Sequence, residues 1–195
     1  MFVVSPDEPG LIGNWSPGIG DPTPIGWLTT LAYFATAFGC WLVARRTVIR
    51  RKRDWIELRI WQALAATFAL LGVNKQLDLQ TAFTIIGKTM AMDEGWYEHR
   101  RIVQFVFIVL IALGTGALVL GALYIARGTS RQARTALIGF GAVSCFVVIR
   151  AASFHHVDQL LAFTFWRLRA NWILELGGIS ISGFAAVRRL RYLKR

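Results

Sequence analysis

Five apolar runs, at roughly 25–44, 56–76, 102–126, 135–154 and 172–188, limit what this chain can fold into more than any other feature. Each approaches or exceeds the about 20 residues that a helix needs to cross the hydrocarbon of a bilayer. A soluble domain of 195 residues, 55% hydrophobic and 17% charged, has too little polar surface to cover runs of this length. Inside lipid the backbone satisfies its own polar groups only as a helix or a closed barrel. A barrel strand alternates apolar and polar residues, whereas these runs are continuous, so helices are expected. The reading is an all-α membrane protein: one five-helix transmembrane bundle over residues 1–195, with two interfacial segments and no separate soluble domain.

The net charge of +11 raises nucleic acid as a partner, but its distribution argues for topology. Fourteen of the 22 basic residues fall in the first connection (45–53), the third (127–134) and the tail (188–195), which share one side of the bundle. The positive-inside rule makes that side cytoplasmic and leaves the N-terminus outside. Only Asp54 and Glu57, of eleven acidic residues, fall on the basic side. Residues 1–24 combine Pro, Gly and acids without the pattern of a cleaved signal peptide, so a periplasmic N-terminal segment is expected. Tryptophans near both rims fit an aromatic belt. Cys40 and Cys145 both lie in apolar runs, which disfavours a disulfide or a thiolate metal site.

The two outer connections, 77–95 and 155–171, mix apolar and polar residues at helical spacing, as in Leu79, Phe83, Ile86 and Met90. Short helices lying in the interface are expected there. A weak tandem repeat joins the two halves: Asp78-x-x-x-Ala82-Phe83-Thr84 matches Asp158-x-x-x-Ala162-Phe163-Thr164. Each copy leads to a tryptophan and a glutamate, Trp96 with Glu98 and Trp172 with Glu175. The halves, 56–126 and 135–188, then read as parallel helix hairpins, an arrangement that places a site between them. Glycines at 114, 116, 121, 139, 141, 177, 178 and 183 suggest close helix approach.

Away from the basic side, polar residues gather at the outer rim. The second run ends in Asn74, Lys75, Gln76 and Asp78; the third opens with Trp96, Glu98, Arg101 and Gln104. The fourth ends with Arg150, His155 and Asp158, and the fifth opens with Trp172 and Glu175. Charge in a membrane costs about 2.5–3.5 kcal/mol at its centre and less near the rim, so rim charges can simply snorkel to water. Acids, bases, amides and histidines together are nonetheless the vocabulary of a catalytic site. Glu98, Asp78, Asp158 and Glu175 supply the acid and base of glycoside hydrolysis, with His155 as a further catalytic candidate. Arg150, Arg101, Lys75, Asn74, Gln76, Gln104, Trp96 and Trp172 would line the substrate. No metal motif such as HxxxH or HExxH is present, so no cofactor is required; zinc held by histidines and aspartates is an alternative, as is a lipid phosphatase using the rim cations.

Across Asn74-Lys75-Gln76-Leu77-Asp78-Leu79-Gln80, with Gly95-Trp96-Tyr97 and Arg100-Arg101 downstream, the chain resembles a group of small uncharacterised bacterial inner-membrane proteins. That resemblance implies a fold and a bacterial inner-membrane location, without a mechanism. A looser likeness is to the ceramidase and progestin-receptor-like membrane hydrolases, which imply zinc chemistry on seven spans with a paired-histidine motif; this chain has five runs and lacks that motif. The sequence-level expectation is a membrane hydrolase acting at the periplasmic face on a glycolipid or lipid-linked sugar by carboxylate acid/base catalysis. A non-enzymatic membrane subunit or lipid-binding protein is the competing class.

Overall fold

The computed structural model describes residues 21–77, 86, 100–152, 164–165 and 168–194, with the backbone alone at 100–105, 107, 149–152, 164–165 and 168–173. Five long helices account for nearly all of it: α1 Pro24–Arg46, α2 Lys52–Leu77, α3 Arg100–Ile125, α4 Arg131–Ala152 and α5 Ala170–Leu193. They coincide with the five apolar runs and extend past most of their ends. A 3-10 turn, Ala126–Gly128, joins α3 to α4.

Local chemistry sets the helix ends. Thr23 caps α1 by accepting the Gly26 amide at 3.0 Å, and Pro24 follows where its missing N–H is no loss. The Asp54 carboxylate accepts the Arg50 and Arg51 amides at 3.0 and 2.8 Å, closing the start of α2. Ser130 caps α4 through the Ala133 amide at 3.2 Å.

Pro24–Arg46, Lys52–Leu77 and Ile108–Gly128 are long and apolar enough to cross a membrane. The most apolar stretch of the third has no fully buried residue; Ala112, Thr115, Val119 and Ala122 form a half-buried stripe and most of the rest is exposed. α4 and α5, at 22 and 24 residues, are about as long. They pack most intimately on each other. α1 lies between α2 and α5, and α3 packs chiefly on α4.

The core runs along these seams. Tyr33, Cys40 and Val43 of α1 meet Trp61, Leu64 and Phe68 of α2, with Val143 and Ile179 beyond. Phe68 lies between Tyr33 and Phe140, at ring separations of 6.2 and 6.0 Å. On the outside, Leu28, Leu31, Phe38, Leu70, Leu120 and Phe184 are exposed. An apolar surface of this extent on a helical bundle fits a lipid solvent.

Glycines serve this packing unequally. At the α4–α5 crossing, a Cβ on Gly178 would sit 2.7 Å from the Gly139 carbonyl oxygen, and one on Gly139 would lie 2.7 Å from the Gly178 oxygen. Gly183 admits Thr36 of α1, and Gly72 admits Tyr33 and Phe34. Gly141 meets Val119 of α3. Gly114, Gly116, Gly121 and Gly177 have no such neighbour within 4 Å, which corrects their expected role in close packing.

A second correction concerns the connection 155–171. Thr164–Phe165 pairs antiparallel with Leu168–Arg169, Thr164 opposite Arg169 and Phe165 opposite Leu168. At these four residues two short paired strands stand in place of the expected interfacial helix. Thr and Phe favour a pleated backbone, and the local apolar spacing could not separate the two outcomes. The connection 77–95, residues 155–163 and both D-x-x-x-A-F-T segments lie outside the described residues, apart from Leu77, Ile86 and Thr164.

Replacing Gly178 by alanine is expected to lower stability in detergent by about 1–3 kcal/mol, because the new methyl meets backbone that cannot yield. Gly114→Ala, in open space, is expected to be neutral or stabilising by up to ~1 kcal/mol. Thermal unfolding of both variants checks the contrast.

Candidate functional site

The helices bring two buried carboxylates into the bundle, one near each end. At the basic end, Glu57 of α2 is 4% exposed. It accepts the Trp61 indole N–H at 3.2 Å, the Ser130 hydroxyl at 2.7 Å and the Ser130 amide at 3.2 Å. Arg189 Nε of α5 lies 2.8 Å from the same carboxylate. This cluster ties α2, the α3–α4 turn and α5 together and leaves Glu57 fully engaged.

The opposite end holds the candidate site. Glu175, near the start of α5, is 3% exposed. Its Oε1 accepts the Tyr33 hydroxyl of α1 at 3.1 Å, and its Oε2 accepts Lys75 Nζ of α2 at 3.4 Å. Lys75 also lies 3.6 Å from Asp21 Oδ2, just before α1. The Lys75 side chain is 12% exposed and that of Asp21 33%, so the array runs from a partly open carboxylate to a closed one. One lysine thus serves two carboxylates.

Asp21 owes its place to the chain turn before α1. The Thr23 hydroxyl donates to Asp21 Oδ1 at 2.6 Å and the Thr23 amide at 3.3 Å. The Thr23 hydroxyl chiefly holds the Asp21 carboxyl below the ordinary carboxylate range; partial burial opposes it, and the Thr23 amide and the Lys75 charge add to it. Beside Lys75, Gln76 Nε2 donates to Thr30 Oγ1 at 3.1 Å, and Thr30 donates to the Gly26 carbonyl at 2.9 Å. Gln76 Oε1 is buried and accepts no hydrogen bond from the described residues. A buried acceptor left so carries a desolvation penalty of about 1–3 kcal/mol that a donor arriving there would relieve.

Of the residues expected at the site, the structure joins Lys75 and Glu175 directly and places Gln76 beside Lys75; Asn74 is half-buried on the same turn of α2. Asp78, Trp96, Glu98, His155 and Asp158 lie outside the described residues, and the side chains of Arg101, Gln104, Arg150 and Trp172 are not among those described. All three histidines are outside as well; among the described residues no His, Cys, Asp and Glu group is arranged to hold a metal.

Sequence reasoning missed Asp21, Thr30 and Tyr33. A signal for α1 existed: Thr29, Tyr33, Thr36 and Cys40 recur at helical spacing and are all buried, while Leu28, Leu31, Phe34, Phe38 and Trp41 are exposed. The polar stripe of an apolar helix is its protein-facing side. No protein family, curated protein or solved structure matches the chain.

Lys75→Met leaves Glu175 buried with Tyr33 as its remaining partner among the described residues, and a loss of about 3–5 kcal/mol is expected. Adding Glu175→Leu should recover much of that loss, because it removes the uncompensated charge; a double-mutant cycle of unfolding free energies measures the coupling. Asp21 predicts a pH effect. Its folded carboxyl is depressed, so its contribution is present above the unfolded value of about 3.9 and lost as pH falls through the lower folded value. Acid unfolding of wild type should therefore carry a component below about pH 4 that Asp21→Asn lacks.

Proposed function

We propose that the chain is a five-span protein of a bacterial inner membrane that hydrolyses a lipid-linked sugar at its outward-facing end. In this reading α4 and α5 are the fourth and fifth spans. At 1.5 Å per residue their 22 and 24 residues reach about 33 and 36 Å, enough to cross the hydrocarbon. The positive-inside rule puts the basic end in the cytoplasm and the N-terminus outside.

The observation that carries the reading is the Asp21–Lys75–Glu175 array beside the buried Gln76 Oε1, which accepts no hydrogen bond from the described residues. Ionisable side chains placed in a membrane protein interior mark function by default. Two carboxylates to one lysine leave the array with an excess of negative charge, which suits a hydroxyl-rich headgroup better than a phosphate. Lys75, already shared, is poorly placed to serve a lipid phosphatase. The amide oxygen of Gln76, an acceptor, suits a sugar hydroxyl.

Within this proposal Glu175 is a positioning residue, since Tyr33 and Lys75 occupy both of its oxygens. The acid and base fall to Asp78, Glu98 and Asp158, with His155 assisting, on the sequence grounds given above. Arg150, Arg101, Gln104, Trp96 and Trp172 would hold the substrate. The engaged state of Glu175 also favours a second reading, a lipid-binding membrane subunit in which the array is purely structural.

Purified protein assayed on glycolipids and lipid phosphates separates the two. Turnover of a glycolipid that Glu98→Gln and Asp158→Asn each reduce by at least about 100-fold is expected under general acid–base catalysis. Lipid binding without turnover in wild type selects the second reading. Fusion reporters at residue 1 and residue 195 should place the termini on opposite sides of the membrane; the same side for both would exclude five spans.

A further inference from the structure

We infer that the basic end of the bundle is a docking collar for anionic phospholipid headgroups of the surrounding bilayer. It rests on the membrane reading and is independent of any chemistry at the opposite end.

The first ground is charge without internal partners. The two acids at this end are committed: Asp54 to the Arg50 and Arg51 amides, Glu57 to its buried cluster with Arg189. Fourteen cations of the connections and tail share that end with these two acids. Glu57 already serves the α4 N-terminus through the Ser130 amide, and among the described residues no acid pairs with Arg131, which opens that helix.

The second ground says which anion. The connection between α1 and α2 exposes Val48 (66%) and Ile49 (52%) between Arg46 and Arg50. An apolar pair flanked by cations fits a loop seated in a headgroup layer. On four elements an arginine lies over an exposed aromatic ring: Arg45 on Trp41 at 5.2 Å and Arg59 on Trp55 at 5.1 Å. Arg127 lies over Tyr124 at 4.6 Å and Arg188 over Phe184 at 5.8 Å. Each ring belongs to the outward surface, so each guanidinium is held where the apolar wall meets water. A soluble polyanion would use the cations and have no use for the apolar surface beside them. A lipid with an anionic headgroup uses both, and each basic residue near such a surface contributes roughly fivefold in affinity.

A topology signal alone acts during insertion and leaves no lipid preference in the folded protein. The purified full chain, in a neutral detergent, is titrated with phosphatidylglycerol and with phosphatidylcholine of the same acyl chains and read by native mass spectrometry. Phosphatidylglycerol should bind at least about tenfold more tightly. The preference should fall to within about threefold in R45Q/R51Q/R127Q, whose arginines are all exposed. Val48→Ser with Ile49→Ser should weaken phosphatidylglycerol binding and keep the preference. In wild type, raising the salt should erode the preference, a readout that needs no variant. Equal affinity for the two lipids, a preference unmoved by salt or by the triple substitution, or tighter binding of a soluble RNA oligonucleotide than of phosphatidylglycerol would overturn the assignment.

Discussion

α2 and α5 are tied by two buried ion pairs of opposite sense, and much of the molecule's arrangement follows from them. α2 supplies the acid at the basic end and the lysine at the other; α5 supplies the arginine and then the acid. The members lie 18 residues apart on α2 and 14 apart on α5, about 27 and 21 Å along the helices. α2 packs chiefly on α1, and α5 on α4 and α1, so these long side chains link helices that are not each other's main neighbours. An antiparallel pair stapled in this way resists both rotation and axial slip. In an apolar solvent that specificity is valuable, because apolar side chains gain little by choosing protein over lipid. The uncompensated alternative, a single buried charge, is strongly unfavourable.

The same constraint shapes the candidate site. The staple at the basic end closes on itself: Glu57 meets a guanidinium, an indole, a hydroxyl and an amide. The other staple does not. Lys75 is divided between Glu175 and a partly exposed Asp21, and the neighbouring Gln76 keeps a buried acceptor that no described residue bonds. Among the described residues, then, the network is satisfied at one end and has an unmet acceptor at the other.

Helix positions were legible because length and continuous apolarity leave a chain in lipid no alternative to helices; the capping roles of Thr23, Asp54 and Ser130 came from the structure. The residues around 164–169 were not: a short apolar segment has no period long enough to decide between helix and strand. Glycines were legible only as a set. Gly139 and Gly178 bring backbones together, while Gly114 and Gly116 face open space, and nothing local to either pair separates them.

Sequence alone determined the five helices, the clustering of cations at one end and the membership of Lys75 and Glu175 in one polar rim. These follow from composition, spacing and the intolerance of lipid for unsatisfied polar groups. The tertiary structure decided who pairs with whom: Lys75 with Glu175 across 100 residues, Tyr33 with Glu175 across 142, and Glu57 with Arg189. It also drew Asp21, from just before α1, into the site. Such pairings depend on helix rotation and neighbour order. Those are set by close small-residue contacts and by buried charges meeting at once, and both are properties of the packed bundle rather than of any one segment.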